Sequence, residues 1–471
     1  MQYLGFKAYE KSINKIDSFE VFMAKDNEKD FIIVVSKDDK PPTQLGFSGN
    51  DIDGAKLQAP LCHENACVLR RLFSFTAPVR GLKKPISFGL GDRLGIATPG
   101  HIDLFSKTDV FPVFAQQSIR ELNLTERTYK DVLDSATFAV FREGYKKGFG
   151  ADGDHLKTPE DIEYALSLGF TMITLDCSEH INNAPDNLPS LEKRYAEKYL
   201  NKIFEIEDGI SLKFTEQELK QCIAIYEKAI LFAADMYNHF FKAGKYDADF
   251  EISIDETASV TTPLQHFFVT RELLDLGVRF ETIAPRFCGE FQKGIDYSGD
   301  IVQFEKEIKI HAAIARFFGY KLSIHSGSDK FSVFPAIGRQ TKGQFHIKTA
   351  GTNWLEALRL TAAADPLLYR EIHLFALTSF NEAKKFYHVK SELSKIPDIS
   401  SIDDSELVKL FDDDNVRQLI HITYGQILCC KNPDGSFLFK DRLYRLLSCH
   451  EDKYRKALVG HIGKHLELLL Q

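Results

Sequence analysis

Three times in this chain a helical stretch runs into a glycine and then into a short apolar segment: LSLGFTMITLD, LLDLGVRFETIAP and RFFGYKLSIHSG. Gly169, Gly277 and Gly319 stand where a left-handed helix C-cap belongs, because a residue without Cβ takes a positive φ at no steric cost. The segments behind them are short and nearly continuously apolar, as strands covered on both faces must be. Helix, glycine and buried strand in repetition mean an α/β architecture with a parallel sheet. Eight such strands are predicted, near 86–90, 111–115, 149–154, 171–176, 250–255, 279–284, 321–325 and 344–348. Eight is the number that closes a (β/α)8 barrel of the TIM-like kind. No GxGxxG follows any of them, so a nucleotide-binding open sheet, and NAD as a cofactor, are not expected.

The helix starts agree. Thr158-Pro159 and Thr262-Pro263 place a hydroxyl at the N-cap and proline at the first helical position. Thr215 and Glu218 form a capping box that opens a long amphipathic helix. That helix lies within an insertion spanning 190–243. Residues 1–75 read as a small β-rich element, with FEVFMA and FIIVVSKDD as its strands. The barrel catalytic domain is expected over 76–390 and a helical appendage over 391–471.

Composition narrows the function. A net charge of -8 disfavours generic nucleic-acid binding, which needs clustered Lys and Arg. The opening MQYLGFKAYEKSINK has no apolar core ahead of a cleavage site, and no run of about eighteen apolar residues occurs. We therefore expect no leader, no membrane partner and a cytoplasmic setting. Eight cysteines in 471 residues are too sparse for a disulfide scaffold. Cys62 and Cys67 lack the second CxxC of a zinc knuckle. Nothing in the sequence speaks against a homo-oligomer.

In a barrel, chemistry lives where strands end. Asp152, Asp154, His155 and Lys157 close the third strand. Asp176 closes the fourth, and Asp255 and Glu256 the fifth. Arg286 follows the sixth, ahead of the loop FCGEFQKGIDYSGD. His325, Ser326 and Lys330 follow the seventh, and His346 and Lys348 lie on the eighth. Each strand-end carboxylate has an ordinary alternative as a helix cap, and each basic residue one as half of a surface ion pair. His266 and His311 read as mid-helix structural residues. His155 and His325 differ, because separate strands deliver them to one mouth, where they are expected to share a divalent metal. Imidazole with oxygen donors suits Zn, Mn, Co or Ni. Asp154 and Glu256, on different strands, suit an acid and base pair. Lys157, Arg286 and Lys330 point to a small anionic substrate.

The stretches SFGLGDRLGIATPGH, GADGDHLKTPEDIEYALSLGFTMITLDCSEHI, SIDETASVTTP and LSIHSGSDKFSVFPAIG also resemble the tagaturonate/fructuronate epimerases of bacterial hexuronate catabolism, over roughly residues 80–360. The resemblance implies a divalent-metal enzyme that inverts one hydroxyl-bearing carbon of a keto-hexuronate. It implies Asp154 as proton acceptor and Glu256 as proton donor. It implies His155 and His325 as ligands, with Gln292 as the third and Glu290 and His346 as competitors. Asp176 and Ser326 join Lys157, Arg286 and Lys330 as expected substrate contacts. Because the inverted carbon is β to the ketone, two routes stand open: retro-aldol cleavage with re-addition, or direct proton removal and return. A metal-dependent aldolase is the rival reading, since it would use the same parts and release the fragments.

Overall fold

The computed structural model describes residues 1–471 apart from 27, 28 and 186. Its central feature is a closed eight-stranded parallel barrel with helices around it. The strands are β1 (Ile86–Leu90), β2 (Phe111–Ser118), β3 (Gly150–Leu156), β4 (Met172–Asp176), β5 (Asp249–Ile254), β6 (Thr282–Pro285), β7 (Lys321–Ile324) and β8 (Phe345–Thr349). Each pairs with its neighbours in chain order and β8 returns to β1, so the sheet has no open edge. All eight predicted strands are present at nearly their expected positions.

By internal packing the chain divides into two compact units, residues 1–79, 90–151 and 351–463 in the first, and 80–89, 152–350 and 464–471 in the second. In the first unit an antiparallel sheet is built on the hairpin Phe19–Asp26 and Lys29–Ser36, which pairs in turn with Lys56–Pro60. Helix α1 (His63–Leu72) and helix α2 (Tyr129–Glu143) supply its covering layer. Ala66, Leu69 and Phe141 are fully buried there against Val21, Ile32 and Val34. A second core of the same unit lies among the helices after residue 351, around Trp354, Tyr369, Leu419 and Tyr424.

In the second unit the expected caps are in place. Thr158 accepts from the Asp161 N–H at the start of α3 (Pro159–Ser167). Thr215 and Thr262 close full capping boxes on α4 (Glu216–Phe240) and α5 (Pro263–Asp275). Gly169, Gly277 and Gly319 take φ of 94°, 82° and 83°, the last ending α6 (Ile301–Phe318). These short, capped connections fix where each strand ends, and hence where its last side chains point. No described helix is long and apolar enough to cross a membrane.

Candidate active site

The barrel interior is not apolar throughout. The alternating residues Glu251 and Ser253 of β5 and Asp255 just past its end form one face, and Glu251 is fully buried. Its Oε1 lies 2.9 Å from Lys348 Nζ, and its Oε2 accepts from Thr282 Oγ1 at 2.6 Å. The same Lys348 ammonium is 2.7 Å from Asp152 and 2.7 Å from Asp154, and it also donates to Thr174 Oγ1. One cation is thus shared by three carboxylates. Removing such groups from water costs several kcal/mol each unless partners satisfy them, and here the partners do.

The unequal surroundings split the carboxylates. Burial pushes Asp152 up to about 7, against the pull of Lys348. Asp154 feels the same burial, but Lys348, His155 and His325 outweigh it and hold it below its ordinary value. Glu251 goes the same way as Asp154, and for it Lys348 and His325 are the leading opponents of burial.

The mouth lies above this network. His155 and His325 meet edge to face with ring centroids 4.9 Å apart. Asp176 Oδ2 lies 3.3 Å from His155 Nδ1, and Asp176 Oδ1 accepts from the Ser178 N–H. Glu251 Oε1 lies 2.7 Å from His325 Nε2, and Asp255 Oδ1 lies 3.2 Å from His325 Nδ1. A buried carboxylate on a ring nitrogen fixes the plane of the ring: Asp176 on Nδ1 turns His155 Nε2 toward Asp154, 3.9 Å away, whereas both nitrogens of His325 meet carboxylates. Burial alone would lower both rings. The facing carboxylates, Asp154 foremost for His155 and Asp255 for His325, instead raise them to about 10 and about 8.

Donor atoms of His155, Asp255 and His325 all lie within 4.8 Å of one another, and so do those of His155, Asp176 and Glu256. Two imidazoles with carboxylate oxygens form a donor set that fits a divalent transition metal. Asp255 is a candidate donor that sequence reasoning passed over, having named Gln292 as third ligand with Glu290 and His346 as competitors. Its signal was the alternation of polar residues in a strand that ought to be apolar.

Local backbone geometry helps to deliver these groups. The β3–β4 register slips between Gly153 and Leu156, and His155 takes φ 54°. Ser326, just past β7, takes φ 51°. Non-glycine residues in this region carry strain that the surrounding structure must hold, and such residues cluster at functional sites. Next to Ser326, a Cβ on Gly327 would sit 2.5 Å from Ile347, so only glycine lets this loop lie against β8 and donate its N–H to Lys348 O at 2.8 Å.

The other expected residues separate into several groups. Lys157 is half-buried at the mouth, 3.1 Å from Glu179 and 3.8 Å from Asp176. Arg286 is also half-buried, 4.0 Å from Glu290. Glu256 is exposed. Ser326 Oγ accepts from Lys293 Nζ at 3.2 Å. Lys330 departs from expectation. It is fully buried, and its ammonium donates to the carbonyls of Gln292, Ile295 and Ser328 at 2.6–2.8 Å. Three carbonyls satisfy all three of its N–H bonds, so it clamps the loop that carries Gln292 instead of facing a substrate. Asp176, expected as a substrate contact, is buried behind His155 and orients that ring. His346 pairs with Ser323 in the β7–β8 ladder, two residues below His325, and its Nδ1 lies 2.9 Å from Ser87 Oγ. That is one interior layer beneath the histidine pair. Gln292 is buried in the loop after β6.

Comparison with known proteins points one way. Residues 9–469 match the family model described as tagaturonate epimerase. A tagaturonate/fructuronate epimerase of Thermotoga maritima is 45% identical, over 99% of this chain and 97% of that protein. A crystal structure of a fructuronate-tagaturonate epimerase from Cohnella laeviribosi with one glycerol bound superposes with a TM-score of 0.94 at 47% identity, covering 99% of this chain and 96% of that one. Its native form gives the same TM-score at 46% identity, covering 98% and 96%.

Proposed function

The chain belongs to the tagaturonate epimerase family, and on that footing we propose that it interconverts tagaturonate and fructuronate at a divalent metal held in the barrel mouth. It is a carbohydrate epimerase. The observation that carries the metal reading is the His155–His325 pair, 4.9 Å apart and ringed by Asp154, Asp176, Asp255 and Glu251. So many carboxylates around two imidazoles favour a positive charge between them. His155 and His325 would hold the ion, with Asp255 or Gln292 as the third donor. When bound, such an ion supplies Lewis acidity toward a ketone or hydroxyl oxygen.

The chain's own groups would do the rest. Asp154 keeps its Oδ1 on Lys348 and would accept a substrate proton at its other oxygen. Lys348 steadies the carboxylate before and after the transfer, and the neighbouring Asp152, pushed up to about 7 by burial, would add little negative charge to the network while it holds a proton. Glu256, exposed at the end of β5, would return a proton from a second direction. Lys157 and Arg286 would take the substrate's carboxylate, Arg286 through two parallel N–H bonds. Lys330 would act only by fixing the Gln292 loop.

The carbon that inverts is β to the ketone, so the carbonyl does not acidify its C–H. This favours the retro-aldol route, in which Asp154 takes the proton of the hydroxyl on that carbon, the adjacent carbon–carbon bond opens, and the resulting aldehyde turns and re-adds. Turnover of tagaturonate in deuterium oxide separates the routes. Retro-aldol inversion leaves the hydrogen of the inverted carbon unexchanged, whereas one deuterium per turnover at that carbon identifies direct proton transfer. Sugar-acid chromatography of the same mixture should give fructuronate, and two smaller fragments would mark an aldolase.

A further inference from the structure

A second constellation of reactive side chains lies in the first unit, on the outer face of α1. His63, Cys67 and Arg70 are spaced four and three residues apart, which puts them on one helical stripe. Cys67 is exposed. Its Sγ lies 3.6 Å from His63 Nε2. His63 Nδ1 lies 2.8 Å from Asp134 Oδ2 on α2. Arg70 closes the group, with one Nη donating to Cys67 Sγ at 3.2 Å and the other to Asp134 Oδ1 at 2.8 Å and Thr137 Oγ1 at 3.0 Å.

This is the geometry of an activated thiol. The Asp134 carboxylate holds the Nδ1–H tautomer, so Nε2 turns its lone pair toward the sulfur. A nucleophile, a base within reach and a third group that orients the base is the arrangement that activates cysteine. Arg70 adds a donor where negative charge grows on sulfur as its proton leaves. The same guanidinium argues against a metal here, since it already places a positive charge between the sulfur and the carboxylate. The platform is anchored, because Ala66 and Leu69 on the inward side of α1 are fully buried in the core beneath the N-terminal sheet.

We propose that Cys67 is a site of covalent thiol modification, activated by His63 and Asp134, whose reactant is a small electrophile of the hydroperoxide class. The sulfur attacks the terminal peroxide oxygen, a sulfur–oxygen bond forms and the oxygen–oxygen bond breaks. The thiol proton passes to His63 Nε2 and from there to the departing oxygen. Sulfur is oxidised by two electrons to sulfenic acid, and hydrogen peroxide is reduced to water.

The test uses the full chain and its own internal control, Cys449, which is likewise exposed. Protein is treated with hydrogen peroxide, trapped with dimedone and mapped by peptide mass spectrometry, with iodoacetamide alkylation in parallel. Cys67 should react at least about tenfold faster than Cys449 in both assays, in line with general-base assistance. His63→Gln and Asp134→Asn should bring that ratio to near one while the thermal melt stays cooperative. Equal rates at the two cysteines in the unaltered protein overturn the proposal whether or not either variant folds. A ratio that survives in folded His63→Gln overturns it as well.

Discussion

Two histidine pairs occupy the second unit at almost the same spacing, with ring centroids 4.9 Å apart for His155–His325 and 5.0 Å apart for His266–His311. Their surroundings are opposite. The first pair ends two barrel strands among carboxylates, and each ring has a carboxylate on a ring nitrogen. The second is fully buried between α5 and α6, with Nδ1 facing Nδ1 at 2.9 Å. Its other partners are uncharged: a hydroxyl chain runs from His266 Nε2 to Tyr320 Oη at 2.5 Å and on to Thr270 Oγ1 at 2.9 Å, and His311 meets the backbone of Thr261. Burial holds both of its rings below the ordinary imidazole value, His311 at about 4. Proximity of imidazoles is therefore no sign of a metal. What separates a ligand pair from a packing pair is the charge of the groups behind the rings, since carboxylates invite a cation, whereas uncharged partners leave the cost of burying a charge unopposed.

The sharpest way to break this contrast is to take the metal away. Dialysis against a chelator should reduce epimerisation to background, with add-back restoring it. His155→Ala and His325→Ala should bind less than one ion per chain by elemental mass spectrometry, while His266→Gln and His311→Gln retain it. Full turnover in protein verified to be metal-free would refute the assignment of the mouth pair.

The next largest effect concerns the carboxylates that set the mouth apart. Asp154→Asn and Glu256→Gln should each lower kcat about a hundredfold or more, as lost proton transfer does, with bound metal unchanged. A near-normal kcat in either variant would move the role to another strand-end carboxylate, Asp152 and Asp176 first.

A third measurement addresses the packing pair through stability. His311 binds its proton near 6.5 when unfolded and only near 4 when folded. Between these values the unfolded chain holds more protons, so acid favours unfolding and stability is lost as pH falls from about 6.5 toward 4. The span corresponds to at most about 3 kcal/mol for this group. Urea melts across that range should show a shallower pH slope for His311→Gln than for the parent. An identical slope would mean that the pair does not remain neutral in the fold.

The smallest effect is selectivity. With Lys157 and Arg286 on the substrate's carboxylate, kcat/KM for tagaturonate should exceed that for tagatose by about tenfold or more. Equal values would show that neither basic group reads the carboxylate.

The fold was legible because its signals are local. A glycine C-cap, a threonine N-cap and a short apolar run are each written within ten residues, and all eight strands could be placed from them. The strand-end residues were legible as a set for the same reason. Their division of labour was not, because it depends on contacts between distant strands. Lys330 looked like a substrate-binding cation of the mouth until three carbonyls closed around it. Asp176 looked like a substrate contact until it proved to stand behind His155. Glu251 drew no notice in the middle of a strand, although it joins Lys348 to His325. The interior salt network brings together β3, β5 and β8, and no local pattern announces such a meeting.

The register slip in β3 carries a consequence for anyone wishing to transplant this site. In a regular strand Asp154 and His155 would point to opposite sides, one into the barrel and one toward the helices. The slip, with His155 at positive φ, brings both to the same opening. The site is therefore encoded by parity as much as by residue identity. A graft of Asp-His onto a straight barrel strand would carry the letters without the meaning, because one of the two side chains would then face the helices instead of the opening.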